Sequence, residues 1–269
     1  MKFTKLEHDV LYTPIIQHRK SNLSITSLGA IHIGEPHYYD RLQQELDKIP
    51  EGFFEGITVV GEETRIPEDK KPYVDDIKKL SDVYKAVANY LGMVTQKDRL
   101  KYPGQWENPD MTLDELMLAA PLRVVKSLAR VNTTFYRFRE EFEAHPEELS
   151  KAIRAGFRFM LRFPRLAEYV ALLVNGPGYN KVILNQRNQQ LFEAMKQKMY
   201  EERTDQLGVI YGAAHLEGID RFLRYNGFKR EGELWIPAWN LDGDLSYFRD
   251  IWALSRKAAQ TWTDKRKRT

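Results

Sequence analysis

The chain has 269 residues, 42% of them hydrophobic and 29% charged, a make-up that suits a globular protein with a sizeable core. It contains no cysteine, which excludes disulfides, thiolate-ligated zinc and a cysteine nucleophile. The net charge of +3 supplies no global field for nucleic acid, and the basic run 265–268 reads as a solvated terminus.

The predicted elements fall into three zones. Residues 10–16 and 23–28 are apolar, β-branched runs around the polar turn 19–22, a hairpin in which Pro14 puts the first strand at a sheet edge. After His32, the residues Tyr38, Leu42, Leu46 and Ile49 recur at helical spacing until Pro50 stops them. Residues 57–61 read as a short buried strand that ends on Glu62-Glu63. From 67 to 180 helical periodicity dominates, with helices expected over 74–91, 112–120, 121–142, 146–163 and 164–174. Several begin at proline, and Thr112 followed by Glu115 is a capping box. The polar loop 92–110 carries Tyr102-Pro103-Gly104-Gln105-Trp106, either a functional loop or one anchored by Trp106 packing. The last zone gives a helix over 182–200, a strand over 207–211, and a helix through Leu216, Ile219, Phe222 and Leu223 closed by Asn226-Gly227. A strand over 233–240 and a helix over 247–259 complete it. This interrupted order predicts the α/β (α+β) class: a central mixed sheet built from both ends of the chain. It is expected as a single domain, with its core from 10–66 and 181–259 and a helical insertion over 67–180.

Two segments carry nearly the same signal. Ser27-Leu28-Gly29-Ala30-Ile31-His32 and Ile210-Tyr211-Gly212-Ala213-Ala214-His215 each leave an apolar strand, turn through Gly-Ala, deliver a histidine and precede a helical pattern. Neutral imidazole is the commonest metal ligand, and in open α/β sheets ligands collect at the carboxyl ends of strands. If the two strands are neighbours, His32 and His215 share one site. Glu62 ends the strand expected beside that of His32, where it completes a metal site or acts as general base on an activated water; only one of Glu62 and Glu63 is expected to face the cleft, and Glu62 is favoured. Arg187 and Asn188 stand side by side on a helix before the second His strand, suited to holding an oxyanion; the competing reading is an exposed helix face. His37 and Glu217 read as surface turn and helix-start residues, and His8, His18 and His145 receive no role. The chain has no G-x-S-x-G elbow, P-loop, H-E-x-x-H or dinucleotide fingerprint, so water is the expected nucleophile of any hydrolase here. Two histidines and a carboxylate suit Mn, Fe, Co or Zn rather than Cu(I).

With these pieces in chain order, the sequence resembles the TraB/Tiki/GumN-type superfamily, related to erythromycin esterase-like and ChaN-like proteins. The family's Gly-x-x-His falls on Gly29 to His32, its strand-end Glu on Glu62, and its Arg-Asn pair on Arg187-Asn188. Its second Gly-x-x-His falls on Gly212 to His215, with Leu216, Gly218 and Gly227 in the helix after it. The likeness covers both terminal thirds, and the helical middle by class only. It implies an α/β core of pseudo-repeated halves and, for the Tiki branch, a peptidase using Mn or Co. His32, His215 and Glu62 would then form the metal or catalytic centre, supported by Arg187 and Asn188. The chain departs from the family in having Glu62-Glu63-Thr64 where Glu-Leu-Asp is common, and in lacking the leader and anchor of many members.

The expected function is therefore a metal-dependent hydrolase, a peptidase or amidase of the TraB/Tiki type using a divalent metal (Mn, Co or Zn) to activate water. Its partner is a peptide or a small amide or ester substrate; no nucleic acid and no membrane span are expected, because residues 169–174 are the longest apolar stretch. With no apolar run in residues 1–9, a cytoplasmic location is expected. The alternative is a non-catalytic peptide-, metal- or haem-binding protein of the same fold, acting in signalling or regulation. The sequence sets no oligomeric state.

Overall fold

The computed structural model describes residues 3–59, 65–163, 178–200 and 204–241. Its strands in chain order are β1 (Lys5–Glu7), β2 (Val10–Lys20), β3 (Leu23–Ala30), β4 (Ile33–Gly34), β5 (Gly52–Phe54), β6 (Val94–Thr95), β7 (Trp106–Glu107), β8 (Gln206–Gly212) and β9 (Lys229–Asn240). The main sheet runs β1-β2-β3-β8-β5-β7, with β9 also paired to β2, and β4 and β6 form a small separate pair. Pairings β3–β8, β8–β5 and β5–β7 are parallel, whereas β2 is antiparallel to β1, β3 and β9. The protein is thus α/β with a mixed sheet, built mainly from both ends of the chain, as the pattern implied; the middle adds the edge strand β7.

Three expectations about strands change. The expected hairpin forms, with Lys20 opposite Leu23 and Ser21 in the left-handed region at φ 52°. Yet β2 is no edge strand: Pro14 lies opposite Trp235 of β9. The proline is tolerated because pairing with β1 ends at Tyr12 and pairing with β3 begins at Ile15, so it falls in the gap between two partners. The strand after the first helix is Gly52–Phe54, and of the strand expected over 57–61 only residues 57–59 are described. Ile57 and Val59 are exposed, and Thr58 makes only an isolated bridge to Thr112. Finally, that strand does not neighbour β3, because β8 lies between them.

Helices cover both faces of the sheet, as parallel strands require. The helix Pro36–Leu46 starts on its proline and packs Tyr38, Tyr39, Leu42 and Leu46 against Leu28, Ala30 and Ile210. On the other face, Leu191 and Met195 of helix Arg187–Tyr200 and Leu216, Ile219 and Leu223 of helix Leu216–Tyr225 cover Ile25, Phe53, Val209 and Tyr211. The second of these ends at Gly227, φ 85°, the expected cap. The middle zone is helical as expected: Val74–Lys78, Leu80–Tyr90, Leu113–Ala119, Leu122–Ala144 and Pro146–Arg162. Thr112 forms the full capping box with Glu115. These helices gather a third core around Val74, Leu116, Met117, Val124 and Val125. The helices expected over 164–174 and 247–259 and the basic run 265–268 lie outside the described residues. No described helix is long and apolar enough to cross a membrane.

Trp106 is a packing anchor. It is buried, donates its indole N–H to the Ile49 carbonyl at 3.2 Å, and lies over Gly208, where an added Cβ would sit 2.4 Å from the ring. Backbone and ring both resist displacement, so Gly208→Ala should destabilise by about 1–3 kcal/mol through overpacking. Gly104→Ala, which meets nothing within 4 Å, should change stability by less than about 0.5 kcal/mol. Urea midpoints of the two variants check this; equal midpoints would show that the sheet shifts freely beneath Trp106.

Candidate functional site at the carboxyl ends of the parallel strands

β3 and β8 are parallel neighbours, so the two Gly-x-x-His segments leave the same edge of the sheet. They are staggered, however: Gly29 pairs with Tyr211 and Ala30 with Gly212. After Ala30 the chain continues through Ile31 and His32 into β4, whereas after Gly212 it turns at once into the 3-10 turn Ala213–His215. The two imidazoles therefore meet different surroundings. His215 is 3% exposed. His32 is exposed and stacks on Tyr84, with ring centroids 5.6 Å apart and planes 16° apart. The charge of each lowers the Glu55 pKa.

Glu55 follows β5 directly and remains held by its N–H to the Ile210 carbonyl, 3.1 Å. Its side chain, 4% exposed, accepts from Arg187 Nη2 at 2.7 Å and from the Gly212 N–H, and its Oε1 lies 3.5 Å from His215 Nε2. Burial alone would raise its pKa, but the charges of Arg187, His215 and His32 and the Gly212 N–H outweigh burial and hold it at about 2. Arg187 in turn donates Nε to Asp110 Oδ1 at 2.8 Å and Nη2 to Asp110 Oδ2 at 2.5 Å, a forked pair around a fully buried carboxylate. Asp110 also accepts the N–H groups of Gly56 and Met111 at 3.0 and 2.8 Å. Arg187 opposes burial by these bonds, and its pKa is raised.

Asn188, the next residue, accepts from His215 Nδ1 at 2.7 Å and directs Nδ2 to the His215 carbonyl at 3.5 Å. The reverse amide orientation would set its oxygen against that carbonyl, so the network fixes the proton on Nδ1 and leaves a lone pair on Nε2. Burial lowers the His215 pKa, only partly offset by Glu55. Gly218 makes room for the amide: a Cβ there would lie 2.2 Å from Asn188 Nδ2. Arg187 and Asn188 reach one cluster because a π-helical turn, Lys181–Gln186, precedes the α-helix and both residues enter it on the buried side.

The structure thus brings His215, Arg187 and Asn188 together and puts His32 at the rim. Glu62 and Glu63 lie outside the described residues. His37 is exposed beside Glu35, and Glu217 pairs with Arg221 on the surface. His18, given no role, is buried against Asp220 at 2.9 Å. Sequence reasoning missed Glu55 and Asp110. Gly52-Phe53-Phe54-Glu55 had a readable signal, an apolar run ending on a carboxylate; Asp110, in a loop, had none. No family model matches the chain, and no curated protein or solved structure matches it.

Glu55→Gln leaves Arg187 short of a charged partner and should cost about 3 kcal/mol at pH 7. The sign of its pH dependence comes from a pKa depressed from 4.5 to about 2. The wild-type advantage is complete above about 4.5 and vanishes as pH falls toward about 2. Urea midpoints of both proteins at pH 6, 4 and 3 measure the gap; a gap independent of pH would show that Glu55 is not held ionised.

Proposed function

We propose that this chain is a metal-dependent hydrolase of amide or ester bonds, a peptidase or amidase in keeping with its resemblance to the TraB/Tiki type. The observation that carries the reading is the facing pair His215 Nε2 and Glu55 Oε1, 3.5 Å apart. With the ring proton on Nδ1, both atoms are acceptors, and a cation seated between them would satisfy both. Bonds of about 2.0–2.2 Å to N and O on a tetrahedral ion put those ligands about 3.3–3.6 Å apart, so the pair fits Mn, Co or Zn. Among the described residues no group of three or more His, Asp or Glu side chains is close enough to hold a metal, so His215 and Glu55 supply two ligands and rim His32 is the candidate third.

When bound, a divalent ion would acidify a water molecule. The chain's own residues set the conditions. Asn188 keeps the His215 proton on Nδ1 and Nε2 open. Arg187 and the Gly212 N–H keep Glu55 ionised, and Asp110 keeps Arg187 in place. A second carboxylate is needed to take the water's proton, and Glu62 is our candidate. We place the enzyme in the cytoplasm.

Purified protein should hold stoichiometric metal, and turnover of a peptide, amide and ester panel should vanish with chelator and return with Mn, Co or Zn. His215→Ala should lose metal and turnover together. Asn188→Ala should weaken metal affinity about 10- to 100-fold, and Asn188→Asp, which still accepts from Nδ1, should restore most of it. Tight metal binding without turnover would favour the binding-protein reading; no metal, with His215→Ala like wild type, removes both.

A further inference from the structure

Away from the candidate site, a second histidine and carboxylate meet inside the protein. The His18 side chain, on β2, is fully buried, and its Nε2 lies 2.9 Å from Asp220 Oδ1 on helix Leu216–Tyr225. The other ring nitrogen, Nδ1, is also buried and has no hydrogen-bond partner among the described residues. An ionised carboxylate only accepts, so Nε2 carries the proton and Nδ1 keeps a bare lone pair. A second proton could go only on Nδ1, where a buried cation would find no acceptor. The helix brings Asp220 and Arg224 to this corner, with Arg224 Nη1 3.8 Å from Asp220 Oδ2. β9 sets Arg230 opposite His18, and β3 sets the uncharged Ile25 opposite it, with the buried Ser27 hydroxyl further along the same face. Arg19, next along β2, pairs with Glu231 at 2.8 Å. Burial lowers the His18 pKa; Asp220 recovers only part of that, and Arg230 and Arg224 oppose protonation further.

We propose that His18 and Asp220 form an acid-sensitive latch: the neutral imidazole fastens helix Leu216–Tyr225 to β2, and a proton taken up when the helix opens favours the open state. The helix begins at His215, and its Gly218 backs the Asn188 amide, so opening at Asp220 loosens the seat of that pair. Leu216, Ile219 and Leu223 still hold the helix to the core, so the latch sets how often it opens and does not free it outright. Above about pH 6.5 the latch has its full strength. At pH 5.5 an opened His18, back at the ordinary imidazole value of 6.5, is protonated by about ten to one, and the open state gains about tenfold.

Hydrogen exchange tests this on the full chain at pH 7.5 and 5.5, with each rate divided by that of the urea-unfolded chain at the same pH. Peptides over 216–225 report the latch, and peptides over 36–46, the helix on the opposite face of the sheet, report global opening. In wild type, protection of 216–225 should fall about tenfold on acidification while that of 36–46 stays nearly constant. His18→Gln, whose amide replaces the Nε2 donor without titrating, should abolish the fall. Asp220→Asn, which keeps an acceptor but removes the charge that favours a protonated ring, should fall at least as far as wild type. Steady or rising protection of 216–225 in wild type would mean that acid strengthens the pair, and it overturns the latch. Equal falls in wild type and His18→Gln, or in both helices, overturn it too. Should a variant not fold, the contrast between the two helices in wild type still decides.

Discussion

A single buried guanidinium holds this structure's working edge together. Arg187 joins Glu55 at the end of β5 to Asp110 in the loop after β7, while Glu55 reaches across to the Gly212 amide at the end of β8. Four stretches remote in sequence thus converge on one charge. Removing these ions from water is expensive, and only forked geometry with every remaining lone pair occupied recovers that expense. The backbone amides of Gly56, Met111 and Gly212 provide the occupation. Two carboxylates face one guanidinium there, and burial lowers the pKa of the neighbouring His215.

The two histidine segments look like copies, but a stagger of one residue in the β3–β8 register separates their roles. Successive strand residues point to opposite faces, so a shift of one alters the direction in which the chain leaves each strand. One histidine is buried at the start of helix Leu216–Tyr225 and hydrogen-bonded to Asn188; the other is exposed and stacks on Tyr84.

Much of this was legible in the sequence, because the strong signals are local. The hairpin, the Thr112 capping box, the Gly227 cap and the turn after Gly212 each depend on a few adjacent residues, and each forms, whereas Gly29-Ala30 stays in strand β3 instead of turning. Strand order depends on distant pairing, and there reading by adjacency misled: β5 was expected beside β3, but β8 separates them. The run Ile57-Thr58-Val59 has strong β propensity, yet Gly52-Phe53-Phe54 takes the sheet position because Gly52 can lie against Gly208, where a Cβ would come within 2.5 Å of backbone oxygen. Asp110 was illegible for a different reason: a loop carboxylate gains meaning only from the arginine that folds against it.

The strand order also bears on how the chain is made. The β2–β3 hairpin is synthesised early, but both of its flanks are completed by late segments, β8 on the β3 side and β9 along β2. β5 likewise lacks its inner neighbour until β8 exists. During translation, therefore, the first third emerges with unpaired strand edges and an uncovered apolar face, and its last edge stays open until the ribosome has passed residue 240. Such edges invite pairing with other chains. The protein is thus exposed to aggregation longest as a nascent chain, and chaperone demand should be set by this topology more than by final stability.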